Sequence, residues 1–285
     1  MIAVAGGTGR LGTRVVKRLA ARGLDVRVLT RSPARARHLE ACAAEIVTCD
    51  VRDRGSLQAA LVDAATIVSA VQGFAGPGAV SPQSVDCDGN ANLIDAAAAV
   101  RADVVLLSVV GASSEHPMDL FRAKYAAEQH LRASSVAWTI VRATAFVELW
   151  AEIMRKPLVF GRGDNPINFV SVEDVAATVE RAVTDSGERG RVIEVGGPEN
   201  LTFNQLAALL EGKPGRPSRV RHVPPGVLRA MSPFVRQARA AIAMDTLDMT
   251  FDAAAAQAYG AAPMTDVRAA LARADAESPV TTSHS

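Results

Sequence analysis

The sequence predicts an α/β fold built on a doubly wound parallel sheet, and three observations carry that expectation. Short apolar runs of strand length alternate with longer helical patterns through the first half of the 285-residue chain, which is how successive βαβ units read. The runs are continuous and often β-branched, as strands covered on both faces are. A glycine-rich turn, Gly6-Gly7-Thr8-Gly9-Arg10-Leu11-Gly12, falls directly between the first apolar run and the first helical pattern.

Six strands are expected in order: Ile2–Ala5, Asp25–Thr30, Glu45–Thr48, Thr66–Ala70, Val104–Ser108 and Trp138–Arg142. The first helix, Leu11–Arg22, sets Leu11, Val15 and Leu19 on one face and stops before Gly23, a residue suited to a helix C-terminus. Asn90–Ala99 and Leu120–Ala133 read as helices, the second with Lys124, Glu128 and Arg132 on a charged face expected to be solvated. Beyond Thr144 the regularity weakens. Pro157, Gly161, Gly163 and Pro166 interrupt short strands near Leu158–Phe160 and Asn168–Val170. Val172–Val183 and Thr202–Leu210 follow as helices, the latter capped by Thr202, with a strand at Arg191–Val195. A mainly helical stretch runs from Val227 to Ala274. The expected organisation is a nucleotide-binding domain over 1–150, a smaller, mainly helical substrate region over 151–277 interleaved with the end of the sheet, and a disordered tail over 278–285.

Composition removes several classes of function. Lys plus Arg number 31 against 30 Asp plus Glu, a net charge of +1, so no global field draws in nucleic acid or an anionic membrane. Cys42, Cys49 and Cys87 have no C-x-x-C spacing, and the five histidines form no ligand pair, which argues for a reduced cytoplasmic setting without a metal. The apolar run Met1–Ala5 ends in glycines instead of extending into a signal sequence, and charged residues break every candidate membrane span. The apolar face around Ala238–Met249 reads either as a cover for a pocket or as a homodimer contact.

Gly7, Gly9 and Gly12 satisfy G-x-G-x-x-G in strand–turn–helix context, the arrangement of a Rossmann dinucleotide site. Glycine is required because the chain turns tightly, because a pyrophosphate must reach backbone N–H groups, and because the helix must pack on its strand. A fold specific for NAD usually places Asp or Glu at the end of the second strand. Here Thr30 is followed by Arg31, with Ser32 and Arg35 nearby, which suits the 2′-phosphate of NADPH better than the bare ribose of NADH. NADP(H) is therefore the expected cofactor, NAD(H) the alternative. Asp50-Val51 and Ala70-Val71-Gln72, following the third and fourth strands, read either as walls of the adenosine site or as plain connections.

The glycine motif, Arg31, Asp50-Val51, Lys124 before Glu128, the strand Trp138–Arg142 and the run Phe169–Ala176 together resemble the NmrA-like, atypical short-chain dehydrogenase/reductase family from Met1 to about Leu210. The resemblance implies NAD(P)H-dependent reduction of quinones and other small molecules, or a redox-sensing regulator that binds the cofactor without turnover. Typical short-chain reductases carry Tyr-x-x-x-Lys, in which the lysine lowers the phenol pKa. Lys124 matches the lysine, but Leu120 stands in place of the tyrosine. Lys124 is then either a ligand of the nicotinamide ribose or an exposed lysine paired with Glu128. Ser108, ending the fifth strand, orients a substrate oxygen or simply ends the strand. Phe146, Trp150 and Phe169 line an apolar pocket or pack a core. The function expected is hydride transfer from NADPH to a small apolar acceptor such as a quinone or enone, with Lys124 and Ser108 as candidate catalytic residues.

Overall fold

The computed structural model describes residues 1–42, 44–74, 80–155, 158–211, 220–258 and 264–277. The expected disordered tail over 278–285 lies outside the described residues. By compactness the chain divides into two units, Met1–Ala143 with Val175–Val195, and Thr144–Asp174 with Gly196 onward.

The first unit is a seven-stranded, wholly parallel sheet. Its strands are β1 (Ile2–Ala5), β2 (Val26–Thr30), β3 (Glu45–Thr48), β4 (Thr66–Ser69), β5 (Asp103–Val109) and β6 (Trp138–Ala143), with a seventh at Arg191–Val195. The spatial order is β3-β2-β1-β4-β5-β6 followed by the seventh strand, so the direction of winding reverses between β1 and β4. At such a reversal the crossovers diverge, leaving a crevice at the carboxyl ends of the two strands. Helices α1 (Arg10–Ala21), α2 (Arg54–Ala60), α3 (Asp88–Val100) and α4 (Asp119–Ala133) supply the crossovers.

Alternation along the strands fills both faces. Ala3, Ala5, Ile67, Leu106 and Ile140 share one core with Leu57 and Leu61 at the end of α2, Leu93 and Ile94 of α3, and Leu131 of α4. Ile2, Val4, Val28 and Val68 point the other way and are equally buried, as are Val15, Val16 and Leu19 of α1. The edge strand β3 departs from the expectation of burial on both faces: Glu45 and Thr48 are exposed because β3 pairs only with β2.

The charged face expected on α4 is a correction. Arg132 is exposed, but Lys124 is 4% exposed and Glu128 is fully buried. They fall on the stripe Phe121, Lys124, Glu128, Leu131, whose spacing of three and four residues is that of an inward helix face.

The second unit contains β7 (Ala145–Phe146), α5 (Val147–Ile153), β8 (Leu158–Phe160) and β9 (Ile167–Val170). The helix α6 (Val172–Thr184) leads from it back into the first unit, whose seventh strand, Arg191–Val195, is β10. After β10 come β11 (Asn200–Leu201), α7 (Phe203–Leu210), β12 (Arg221–Val223), α8 (Pro225–Met231), α9 (Arg236–Thr246), α10 (Ala253–Ala258) and α11 (Val267–Glu277). Two small sheets, β11-β9-β7 and β12-β8, hold this unit together. Thr202 caps α7 through a reciprocal pairing with Gln205. Phe169 is fully buried and meets Phe203 edge-on at 5.9 Å, while Trp150 lies 4.7 Å from the same ring, so those two aromatics pack a core. Ala238, Ala240, Ala243 and Met244 of α9 are buried, and α9 packs on α8 and β8.

Candidate cofactor site

Each element of the candidate site ends at the carboxyl edge of the parallel sheet. The loop Gly6–Gly9 turns sharply out of β1, Gly6 adopting φ +79°. Only glycine enters this left-handed region at no steric cost. A Cβ on Gly6 would sit 2.5 Å from the carbonyl oxygen of Ala70, and one on Gly12 would land on the Gly6 carbonyl oxygen and 2.7 Å from the Cα of Gly7. Loop, helix start and β4 thus approach closely where two of the motif glycines lie. Thr13 Oγ1 donates to the Gly7 carbonyl at 3.1 Å and fixes the turn. Helix α1 has no side-chain cap at Gly9 and no acid in its first turn. Thr8 and Arg10 are partly exposed there, while Leu11 and Gly12 are buried.

At the end of β2, Arg31 is exposed, and Thr30 Oγ1 accepts from the Ser32 amide at 3.1 Å. Asp50, at the end of β3, is not free to act as the acidic ribose ligand of an NAD site. Arg52 grips it, Nη2 to Oδ2 at 2.6 Å, and the hydrogen bond from Arg52, helped by the more distant charge of Arg31, holds its carboxyl below the usual range. The sequence reading missed Arg52, which adds a second exposed cation beside Arg31. The side chains of Val51 and Val71 pack into the core. Ala70 is half-buried and Gln72 exposed.

A buried polar network lies beyond β4 and β5. Lys124 Nζ donates to the carbonyl oxygen of Val71 at 3.0 Å and lies 3.0 Å from Oδ1 of Asp86, which is fully buried. Asp86 Oδ2 accepts from the Gly73 amide at 2.7 Å. Asn90 donates to the Asp86 carbonyl at 2.7 Å and accepts from Ser69 Oγ. The pairing of Lys124 with Glu128 is therefore not formed; Lys124 instead ties the loop after β4 to the start of α3. The Lys124–Asp86 contact is an ion pair; the hydrogen bond of the ammonium goes to Val71. Sequence reading missed Asp86, Asn90 and Ser69. The signal was present in the stripe Asp86, Asn90, Leu93, Ile94, Ala97, two polar residues in line with three buried apolar ones.

Glu128 belongs to a neighbouring cluster. Ser108 Oγ donates to its Oε1 at 2.5 Å, and Arg142 grips both oxygens, at 2.9 and 2.6 Å, while reaching Glu194 at 3.3 Å. The carboxylate holds the Arg142 pKa above its usual value. The hydroxyl proton of Ser108 is thus directed at Glu128. Among the described residues no group of three His, Cys, Asp or Glu gathers as metal ligands, and no helix is long and apolar enough to cross a membrane.

A parallel sheet in this order with a glycine turn closing β1 onto an uncapped helix defines a Rossmann dinucleotide-binding protein. The NmrA-like family model matches residues 1–260, and the chain belongs to that family. It is 35% identical to the (4-alkanoyl-5-oxo-2,5-dihydrofuran-3-yl)methyl phosphate reductase of Streptomyces griseus and 30% identical to the NAD(P)H azoreductase of Xenophilus azovorans, each over 77% of this chain and 76% of the relative. In fold it is similar to the NADPH complex of an NADPH-dependent quinone oxidoreductase from Escherichia coli, with a TM-score of 0.77 at 22% identity over 96% of this chain and 99% of the other. Triphenylmethane reductase from Citrobacter sp., complexed with NADP(H), gives a TM-score of 0.77 at 19% identity over the same shares.

Proposed function

We propose that this chain is an NAD(P)H-dependent oxidoreductase that prefers NADPH and passes hydride to a small apolar acceptor of the quinone or enone type. The observation that carries the reading is the glycine cradle, where side chains on Gly6 and Gly12 would fill the space between the loop, α1 and β4. Reductase relatives at 30% and 35% identity support it.

The cofactor, when bound, supplies the hydride. The protein's task is to hold and orient it and to keep the reacting groups dry. The loop amides and the positive end of α1 take the pyrophosphate. Arg31 takes the 2′-phosphate with a charge-assisted hydrogen bond, helped by Ser32 and Arg52. Asp50, neutralised by Arg52, does not repel that phosphate as a bare carboxylate would. Asp50-Val51 and Ala70-Val71-Gln72 flank the adenosine, and Lys124 turns an N–H toward the nicotinamide ribose. Ser108, Glu128 and Arg142 stiffen the ends of β5 and β6 and transfer no proton.

Leu120 occupies the position where a phenol would protonate the substrate. The acceptors that fit best are those whose reduced form is a stabilised anion, because water can protonate it without a positioned acid. The test is a fluorescence titration of the full chain with NADPH and NADH, followed by turnover against quinones, enones and azo dyes. Tight NADPH binding with turnover of at least one class is expected. Tight binding with no turnover across the panel removes the reductase assignment, and equal affinity for NADH removes the role given to Arg31.

A further inference from the structure

His116 lies on the connection from β5 to α4 and is fixed there by three contacts. Its ring stacks on Phe121, with centroids 3.9 Å apart and an interplanar angle of 9°. Its Nδ1 accepts from the Met118 amide at 3.1 Å, and its carbonyl accepts from Arg122 Nη1 at 2.6 Å. The stack sits at the carboxyl end of β5: a Cβ on Gly111, just past that strand, would lie 3.9 Å from Phe121 Cε1. Phe121 shares the inward stripe of α4 with Lys124. The imidazole therefore covers the stripe that holds Lys124, one turn nearer the start of the helix.

An imidazole whose Nδ1 accepts a backbone N–H carries its own proton on Nε2 when neutral. Burial, aided by the charge of Arg122, lowers the His116 pKa, which favours that neutral form at neutral pH. Among the described residues Nε2 has no hydrogen-bond partner, and the side chain is only partly buried. His116 thus offers, with its ring already oriented, the donor that Leu120 cannot.

We infer that His116 is a catalytic residue, its Nε2–H donating a hydrogen bond to the oxygen of the acceptor as that oxygen gains negative charge. The inference rests on the reductase assignment. The quinone or enone takes up hydride with its two electrons, its conjugated π bonds shift, and the charge comes to rest on oxygen. Water then supplies the proton, so the imidazole stays neutral throughout. A donor fixed in advance by stacking and by the Met118 amide needs no reorganisation as the charge develops.

The test compares His116→Phe, which keeps a stacked ring and removes the donor, with His116→Gln, which keeps an N–H near the Nε2 position. Two quantities are measured on the full chain: steady-state reduction of menadione by NADPH, and the affinity of the NADP+-loaded chain for para-nitrophenolate, a stable phenolate. His116→Phe should lower kcat about 100-fold and weaken para-nitrophenolate about tenfold, with NADPH affinity and melting curve unchanged. His116→Gln should recover most of both losses. The proposal is overturned if His116→Phe keeps kcat within about threefold of the wild type, or if it binds the phenolate equally well. It is overturned too if His116→Gln is as impaired as His116→Phe, or if NADPH affinity falls by the same factor as kcat, which makes the ring a support for α4. In those cases the wild-type chain still reduces the quinone and the reductase assignment stands; a wild-type chain that binds NADPH and reduces no acceptor removes both.

Discussion

Replacing Asp86 by Asn tests the buried network on which the placement of Lys124 depends. The two side chains are nearly isosteric, so packing is preserved and the change is one of charge. Asp86 is fully buried, lies 3.0 Å from Lys124 Nζ and accepts from Gly73 at 2.7 Å. Asparagine keeps an acceptor for Gly73 but turns an N–H2 toward an ammonium that is itself 4% exposed. Removing one partner of a buried ion pair costs about 3–5 kcal/mol. Lys124 keeps its acceptor at the Val71 carbonyl, which favours the lower figure, about 3 kcal/mol. At about 2–4 °C per kcal/mol for a unit of 150–250 residues, the melting midpoint should fall by about 6–12 °C. The decisive measurement is a double-mutant cycle in urea with Lys124→Met. If the pair is coupled, the double variant is less destabilised than the sum of the single variants by more than about 1 kcal/mol. NADPH KM should rise in the Asp86 variant as Lys124 loses its fixed position. A loss under about 1 kcal/mol, or costs that simply add, would refute the reasoning and leave Lys124 held by Val71 alone.

Gly12→Ala places a methyl against the Gly6 carbonyl and Gly7 Cα. The loop must shift, and overpacking of about 1–3 kcal/mol should appear as a loss of NADPH affinity of about 10- to 100-fold in a fluorescence titration; unchanged affinity means the cradle is not the pyrophosphate site. Arg31→Ala should weaken NADPH by about 10-fold or more and leave NADH unchanged, since a hydrogen bond to a charged group contributes about 1.5–3 kcal/mol; equal losses for both cofactors would place Arg31 elsewhere. His116 stacks on Phe121 at 3.9 Å, and burial, assisted by the charge of Arg122, pushes its pKa below the ordinary value. The unfolded chain therefore binds this proton at higher pH than the folded one. Stability from this group is complete above about pH 6.5, falls as pH drops below that value, and levels off beneath the folded-state pKa. His116→Asn should flatten that limb of a urea stability profile measured between neutral and acid pH.

The sheet and the glycine site were legible because both rest on local chemistry. A glycine between a strand and a helix has a backbone reason to be there, and a β-branched run without interruption has few other places to go. The helix α2 was not expected, because its seven residues are too few to show a period; Asp53 announces it only by capping it, accepting from the Gly55 and Ser56 amides. The second unit was read only as a series of short pieces, because its pairings, such as β8 with β12, join segments some sixty residues apart.

Lys124 and Glu128 failed as a surface pair for a more instructive reason. Charge and spacing four residues apart satisfy the rule for an exposed helix pair, yet Phe121 and Leu131 stand in the same stripe and decide that it faces inward. Once inside, neither charge can rely on water. Each must find a partner on another element, and each does: Lys124 reaches Asp86 before α3, and Glu128 reaches Arg142 on β6. Those partners are invisible to periodicity because they come from separate crossovers, but the need for them is not. A polar residue on an apolar stripe demands a distant counterpart. Asp86, in the turn before α3, and Asn90, on the buried stripe of α3, meet the same condition from the other side. The two stripes, read together, bring a buried lysine and a buried aspartate to the helices that flank β4 and β5, and that pairing fixes Lys124 at the carboxyl edge of the sheet.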